Sequence, residues 1–225
     1  MVRETLTRGQ IVAGAINLLD AEGIEALTMR RLGQHLASAA TSMYWHVGNK
    51  ENLVVLAGDQ AWTEVELPDI ERHGWRGAAA QLARNTYDML TRHHWLVSAI
   101  STHYVYGPGM ARYQDHHYAI YQAAGFEGAE LDRAYETVFN YVVGMALSKS
   151  YETAMRTRLS AEDDGEMRFA ELLRRAEETA GEFPRLKARI EAQRDIDVVP
   201  VERESLDYGL DTIFDGLEAR LAQRG

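Results

Sequence analysis

The chain has 225 residues, of which 46% are hydrophobic, so it is long enough to form one or two domains around a packed core. It contains no cysteine, which excludes disulfide bonds, thiolate nucleophiles and thiolate metal sites. No stretch approaches the roughly 20 apolar residues that span a bilayer, and the N-terminus lacks the apolar segment of a signal peptide. We therefore expect a cytoplasmic protein with no membrane partner.

Charge is distributed unevenly along the chain. The net charge is −10, which taken alone disfavours a nucleic-acid partner because like charges repel. Residues 1–50, however, carry five basic and four acidic side chains, a net charge of +1, and the remainder therefore carries −11. This asymmetry is compatible with binding a polyanion through the N-terminal end only.

The N-terminal part of the chain has the spacing of a helix-turn-helix. An apolar stripe predicts a first helix over residues 7–22. A second helix follows Thr28 as its N-cap, because apolar or small residues recur there at steps of three and four: Met29, Leu32, Gly33 and Leu36. A break at Ala37-Ser38 precedes a third short helix over residues 39–46, whose small polar end can fit the major groove of DNA.

The end of the third helix carries a recognisable set of residues, in which Tyr44, Trp45 and His46 are followed by Lys50. The segment resembles the DNA-binding domain of the TetR (tetracycline-repressor-like) family, whose members share a tyrosine, an aromatic residue and a histidine here, and then a lysine. One position departs from the family, which usually has glycine in the turn where this chain has Ala37. Because alanine carries a steric cost in a left-handed conformation, the backbone at Ala37 is a test of the predicted turn.

We predict that the exposed sides of the second and third helices contact DNA. The expected base contacts are Arg30, Ala40, Thr41, Ser42 and Tyr44. The expected phosphate contacts are Thr28, His46 and Lys50. Asn49 can cap a new helix, so that the helix N-terminus and the Lys50 ammonium group face the same phosphate. Packing in the core of the small domain is the alternative role for Tyr44 and Trp45, and for Trp45 we favour it.

The remaining sequence predicts further helices and no strand. A connecting helix continues to about Glu66 and stops before Pro68. The loop Gly107-Pro108-Gly109, an acidic loop over residues 160–166 and a linker closed by Pro200 divide the rest. Helical spacing recurs over residues 74–92, 95–102, 110–124, 130–151, 167–180, 183–193 and 205–221. The chain is therefore predicted to be all-α.

These helices suggest three parts. Residues 1–50 form an N-terminal three-helix helix-turn-helix DNA-binding domain, residues 51–68 a connecting helix, and residues 74–225 a larger C-terminal helical domain for ligand binding and dimerisation. Residues 75–151 resemble the ligand domain of the tetracycline-repressor subgroup of the TetR family. We expect the C-terminal domain to hold the effector.

The last predicted helix extends the resemblance. It carries Gly209 and Gly216, which allow close backbone approach, and it resembles the terminal helix of TetR-family ligand domains. The resemblance implies a homodimer, in which residues 130–151 and 205–221 of two subunits form a four-helix interface.

Aromatic residues are dense among the C-terminal helices. Tyrosine combines apolar area with a hydroxyl group, which suits a mostly apolar, aromatic or multi-ring ligand held by a few hydrogen bonds. For each residue taken singly, the alternative is packing in the core or at the dimer interface. The candidate effector contacts are Tyr87, Trp95, Thr102, His103, Tyr106, Tyr113, His117, Tyr121, Phe139 and Asn140.

Histidines also recur in this part, which raises the alternative of a metal-assisted helical hydrolase. The adjacent pairs His93-His94 and His116-His117 point about 100° apart in a helix, so neither pair easily chelates one ion. Tetracycline-binding members of the resembled family hold magnesium with a histidine and a glutamate, and the matching positions here are Ala99 or Ile100, and Ser148. We therefore expect no metal, no cofactor, no enzymatic activity and no tetracycline–magnesium ligand.

The sequence thus favours a ligand-responsive transcriptional regulator. We expect a repressor that binds a palindromic double-stranded operator as a homodimer and is released by a small-molecule effector. Its expected effector is mostly apolar, and aromatic or multi-ring. A purely structural helical dimer is the third possibility, and the residues from Arg30 to Lys50 argue against it.

Overall fold

The computed structural model of the chain describes residues 6–160, 164–193 and 198–223, and for residues 40–42, 158, 160, 193 and 198–202 it describes the backbone alone. Within those ranges the fold is all-α, with no strand. The helices are α1 (Arg8–Glu22), α2 (Met29–His35), α3 (Ala40–Val47), α4 (Lys50–Thr63), α5 (Ile70–Arg92), α6 (Trp95–Thr102), α7 (Pro108–Ala123), α8 (Gly128–Ser160), α9 (Gly165–Gly181), α10 (Pro184–Gln193) and α11 (Val198–Ala222). We call α1 to α3 the head and α5 to α11 the body; α4 connects them. Among the described residues, none of the helices combines the length and apolar content that crossing a membrane requires.

Helices α1, α2 and α4 each begin directly after a residue whose side chain caps the helix. Thr7 and Gln10 form a reciprocal capping box at the start of α1. The Thr28 hydroxyl accepts a hydrogen bond from the Arg31 backbone N–H at 3.1 Å, which confirms Thr28 as the N-cap of α2. Asn49 caps α4 in the same way, since its side-chain oxygen accepts from the Asn52 N–H at 2.7 Å.

The turn between α2 and α3 is a Schellman motif with alanine in the left-handed position. Ala37 has a φ of 48° and is the one non-glycine residue with a positive φ in the described part of the chain. Its N–H donates to the Gln34 carbonyl at 3.2 Å, and the Ser38 N–H donates to the Gly33 carbonyl at 2.9 Å. The turn therefore forms without the glycine that the family usually has, at the steric cost that an L-residue carries there.

Several helix boundaries differ from those predicted. The connecting helix ends at Thr63 rather than near Glu66, so α4 is about 21 Å long at 1.5 Å per residue. Helix α5 bends at Gly74, whose φ is 65°, and it is regular over the predicted range after that residue. Pro108 occupies the first turn of α7 instead of a loop, because proline has the φ of a helix and its missing N–H is not needed there.

The C-terminal helices are longer than the sequence predicts. Helix α8 continues nine residues beyond Tyr151, to Ser160, and α9 begins at Gly165. Of the predicted acidic loop, residues 161–163 lie outside the described part. Helix α11 begins at Val198, so Pro200 lies in its first turn and closes no linker.

Ion pairs and one close contact attach α11 to the other helices of the body. Arg76 of α5 lies 2.7 Å from both Asp215 and Glu218 of α11. At Gly209 a Cβ would overlap the hydroxyl of Tyr141 on α8, so a side chain of α8 approaches closely there, whereas the prediction was a close approach of backbones. Gly216 does not show it within one chain, because a Cβ there would meet no heavy atom of the described residues within 4 Å.

Candidate nucleic-acid interface and interior ligand site

Helix α3 turns one face to the core and the other to solvent. Met43 and Val47 are buried one turn apart, which fixes the inner face. Tyr44 is 48% exposed and Trp45 is 92% exposed. The favoured prediction that Trp45 packs in the core is therefore wrong, because position 45 lies about 200° around the helix from both Met43 and Val47.

The other predicted DNA contacts surround this face. Thr28, Arg30 and His46 are exposed, and Lys50 is half-buried at the first residue of α4. Because Thr28 accepts a hydrogen bond through its oxygen, its hydroxyl proton is available to a phosphate. The side chains of Ala40, Thr41 and Ser42 lie outside the described part, although their backbone forms the first turn of α3. Their contacts with DNA remain predictions.

A cluster of six rings occupies the junction of α4, α7 and α8, and we call it the ring cluster. Tyr113, His117 and Tyr121 follow one another at one-turn spacing on the buried face of α7. The Tyr113 ring lies 4.8 Å from the Trp62 ring and 5.3 Å from the His117 ring, measured between centroids. The members are Trp62 of α4, Tyr113, His117 and Tyr121 of α7, and Tyr135 and Phe139 of α8.

The polar atoms of the ring cluster are held in an apolar setting. The hydroxyls of Thr86 and Tyr113 are 3.3 Å apart, and His117 Nε2 lies 3.3 Å from the Tyr121 hydroxyl. Burial, together with the charge of the neighbouring His116, lowers the pKa of His117 to about 3, so the imidazole is neutral at physiological pH. Burial also raises the pKa of Tyr113 well above its usual value. The cluster therefore presents neutral groups.

Helix α4 is tied to the start of α7, next to the ring cluster. Asp59 of α4 accepts a hydrogen bond from the Met110 backbone N–H at 3.0 Å, and a Cβ at Gly109 would overlap the Asp59 carbonyl. Arg112 of α7 donates to the carbonyl oxygens of Thr63 and Val65 at 3.1 and 2.9 Å. Arg112 thus satisfies carbonyl groups at and just beyond the C-terminal end of α4. Helices α4 and α7 are therefore joined by hydrogen bonds as well as by their aromatic rings.

A second joint links the body to the head. The Trp95 indole N–H donates to Asp20 of α1 at 2.7 Å, and His93 lies between Asp20 and Glu64. Trp95, predicted as an effector contact, is thus placed at this joint. Its role in effector binding is untested.

The remaining predicted effector contacts are dispersed. Tyr87 is buried in α5. The Thr102 hydroxyl lies 2.9 Å from His103 Nδ1, and Tyr106 is exposed with its hydroxyl 3.2 Å from Gln114. Asn140 is exposed on α8. Of the ten, Tyr113, His117, Tyr121 and Phe139 lie together in the ring cluster.

The prediction missed two members of the ring cluster, Trp62 and Tyr135. Trp62 is one turn from Gly58 on the buried side of α4, and this spacing predicts that Trp62 is buried.

The described residues contain no group of three or more His, Asp or Glu side chains placed to hold a metal ion.

Comparison with protein families gives two matches that together span most of the chain. A family described as "Bacterial regulatory proteins, tetR family" matches residues 11–57. A family described as "Tetracyclin repressor-like, C-terminal domain" matches residues 67–221.

Individual proteins are similar to this chain over about two thirds of its length or more. An HTH-type transcriptional regulator from Saccharopolyspora erythraea is 36% identical over 145 residues, which span 64% of this chain and 61% of that protein. The HTH-type transcriptional repressor DrrR1 from Streptomyces coeruleorubidus is 30% identical over 223 residues, 99% of this chain and 81% of the relative. The crystal structure of ActR from Streptomyces coelicolor in complex with actinorhodin has a TM-score of 0.72 and 28% identity, covering 96% of this chain and 98% of ActR.

Proposed function

The chain belongs to the TetR family of transcriptional regulators, which are not enzymes, and we propose that it is a repressor released from its operator by a small organic effector. The exposed face of α3, with Tyr44, Trp45 and His46, and the adjacent Lys50 support DNA binding. A relative that aligns with 99% of this chain is named a transcriptional repressor, which supports the direction of control. Operator binding would place the protein in the cytoplasm, as the sequence predicts.

We propose that the repressor binds DNA as a homodimer. Large apolar side chains are exposed on α8 and α11, namely Leu147, Tyr151 and Tyr208. Such residues favour burial against a second subunit, and both helices are those that the resemblance assigns to a four-helix interface. Two heads related by a twofold axis would meet half-sites about 34 Å apart, which requires a palindromic operator.

One observation carries the effector-responsive part of the proposal. Trp62 belongs to the helix that begins with Lys50, and its ring packs in the ring cluster of the body. A ligand that enters the cluster would therefore contact the connecting helix directly. Because α4 is also hydrogen-bonded to α7 through Asp59 and Arg112, displacement of either helix is passed to the other.

The switch follows from differential affinity. An effector that fits a ring-cluster arrangement with a different position of α4 favours a different spacing of the two heads. The effector then weakens the binding of operator, and the operator weakens the binding of effector by the same free energy. ActR, which shares the fold and 28% of its residues, was crystallised with actinorhodin, and this supports a small organic molecule as the effector here.

The proposal is tested by binding purified protein to the DNA upstream of its own coding region and to a random duplex of equal length, at two salt concentrations. A preference for the upstream DNA that persists at the higher salt is expected from an autoregulating repressor. Equal and strongly salt-sensitive binding to both duplexes would contradict specific recognition at this locus. Sedimentation of the same preparation measures the dimer.

A further inference from the structure

Two polar atoms of the ring cluster are buried without a hydrogen-bond partner. They are Trp62 Nε1 and His117 Nδ1, and neither finds a donor or acceptor among the described residues. Both side chains are only 1% exposed. Burying a polar group without a partner is unfavourable, so such atoms are uncommon in an apolar interior and invite an explanation.

The hydrogen-bonding roles of these atoms are restricted by their chemistry. An indole N–H can only donate. His117 is neutral, and its other nitrogen, Nε2, lies 3.3 Å from the Tyr121 hydroxyl. When Tyr121 donates to Nε2, the proton of the imidazole is on Nδ1, which then also donates. The interior of the cluster therefore offers one fixed donor and a second polar atom that can donate.

The surroundings of these atoms are aromatic and uncharged. Trp62 contacts the rings of Tyr113 and Phe139, and His117 contacts those of Tyr113, Tyr121 and Tyr135. The described hydrogen bonds of the cluster's buried hydroxyls go to neutral groups, as for Tyr113 and Thr86. None of the described ring contacts and hydrogen bonds of Trp62 and His117 is with a cationic group, so a carboxylate buried beside them would lack an ionic partner. A flat neutral ring could pack against the same rings once they move apart, since the Trp62 and Tyr113 centroids are 4.8 Å apart here.

We propose that the effector is an uncharged, flat ring system with a carbonyl or similar acceptor oxygen, and that this oxygen accepts a hydrogen bond from Trp62 Nε1. This inference deepens the proposed function and rests on it. Trp62 is then the specificity-determining donor, and because it belongs to α4 the hydrogen bond is made with the helix that moves. His117 Nδ1 is placed to contact a second polar group of the same ligand.

The test uses two ring systems of almost the same shape, 9-fluorenone and fluorene, which differ by one carbonyl oxygen. Calorimetry gives the dissociation constants for the wild-type protein, Trp62→Phe and the control Trp75→Phe. Trp75 serves as the control because it lies on α5 and its nearest rings, Phe214 and Phe126, are outside the ring cluster, of which its described contact is with Tyr121 at 6.5 Å. We expect fluorenone to bind the wild type and Trp75→Phe roughly five- to tenfold more tightly than fluorene. In Trp62→Phe this preference disappears, while fluorene binds about as before.

A second readout does not depend on a variant. The chain has four tryptophans, so a spectrum of 15N-labelled protein contains four indole N–H signals. Fluorenone is expected to move the Trp62 indole proton downfield, and fluorene is not. A third probe, 9-fluorenone-2-carboxylate, is expected to bind at least roughly tenfold more weakly than fluorenone because its charge would be buried without a partner.

The outcomes separate the two proposals. Equal binding of fluorenone and fluorene to the wild type, or the same preference in Trp62→Phe, would overturn the role of the Trp62 donor. If both probes then release the operator, the proposed function stands. If neither probe binds, the ring cluster is not the effector site and the inference also fails, while operator binding by the same preparation still tests the DNA-binding part. Should Trp62→Phe not fold, the indole signal of the wild type decides.

Discussion

The imidazole of His93 lies between two carboxylates, with Nδ1 2.8 Å from Asp20 and Nε2 3.1 Å from Glu64. Asp20 belongs to α1, Glu64 follows α4, and His93 follows α5, so one side chain joins the head, the connector and the body. Both nitrogens can donate to carboxylates only when the ring is protonated. This joint holds the reading head against the body.

The first prediction is that His93→Gln lowers the free energy of unfolding more at pH 6 than at pH 8. Burial lowers the His93 pKa, but the hydrogen bonds and charges of Asp20 and Glu64 outweigh it, so the net pKa lies above the usual 6.5. A raised pKa gives stability that is complete below about 6.5 and is lost as pH rises through the folded value. Urea unfolding at both pH values measures the difference.

The expected loss at pH 6 is about 1.5–3 kcal/mol, as for hydrogen bonds to charged groups. Neighbouring groups also titrate or carry charge, since burial lowers the pKa of His94, which faces Asp20, and Arg92 lies 3.3 Å from Glu64. Both groups remain in the variant, but the charge of His93 also lowers the pKa of His94, so His93→Gln relieves that effect and raises the pKa of His94. The exposed His35→Gln is the matched control. A His93→Gln deficit that is independent of pH would mean that His93 is not a protonated bridge.

A second prediction concerns the left-handed turn at Ala37. Ala37→Gly removes a conformational cost of roughly 1–2 kcal/mol, and it adds roughly 0.4–1 kcal/mol of freedom to the unfolded chain. We therefore expect the variant to be more stable than the wild type by about 0.5 kcal/mol. Ala13→Gly, an exposed position within α1, makes the same change without the relief and is expected to cost about 1 kcal/mol. Thermal unfolding of both variants checks the sign, and equal losses would refute the strain.

The third prediction is that Trp45 becomes buried on the operator. It is the one tryptophan that is largely exposed, whereas Trp62 and Trp95 are buried in the body. Operator binding is expected to shift the tryptophan emission to shorter wavelength, and this change disappears in Trp45→Phe. Trp45→Ala is expected to weaken operator binding by about 1–2 kcal/mol, in the range of an aromatic contact. An unchanged spectrum at saturating operator would place α3 away from the groove.

Arg30 and Lys50 provide a contrast between base and phosphate recognition. Arg30→Ala is expected to cost about 1–3 kcal/mol on the operator and to relax preference at one base pair, whereas Lys50→Ala weakens binding to all sequences and reduces the salt slope by about 1. Titrations with operator and random duplexes across a salt series separate the two. Equal losses of Arg30→Ala on both duplexes would assign it to phosphate.

The last prediction isolates coupling from binding. Arg112 is exposed and touches neither the ring cluster nor the DNA-reading face through its described contacts, yet it bonds to the carbonyl groups at the end of α4. Arg112→Ala is expected to keep both separate affinities within about threefold while reducing the coupling between effector and operator, which is typically 1–3 kcal/mol. Operator titrations with and without 9-fluorenone measure it. Unchanged coupling would exclude this joint from the switch.

Much of the head could be predicted because its determinants are local. Thr28 and Asn49 cap their helices by accepting hydrogen bonds from backbone N–H groups three residues away, and both caps are predicted from the sequence. The hydrophobicity of Trp45 favours a place in the core, but its angular position around α3 puts it on the exposed side. Met43 and Val47 had already fixed the buried face of α3, and that left position 45 on the outside.

The sites in the body depended on contacts that no local pattern contains. His93 meets Asp20 across 73 residues, and the two carboxylates around it come from different helices or their ends. In the sequence, Trp62 is one of several apolar residues of the connecting helix. Its role depends on rings from α7 and α8 and on an indole N–H that has no partner among the described residues, and the sequence of α4 shows neither. The density of aromatic residues predicts an effector site in the C-terminal helices, but only tertiary packing determines which residues form the ring cluster.

The position of Trp62 in both the connector and the ring cluster limits how this regulator can diversify. A substitution there alters ligand preference and, at the same time, the helix that carries Lys50, so one mutation changes two selected traits. Tyr135 and Phe139 line the same cluster from α8, which carries none of the DNA-reading residues. We therefore expect lineages that acquire new effectors while keeping their operators to accumulate their changes on α7 and α8, and to leave the tryptophan of α4 in place.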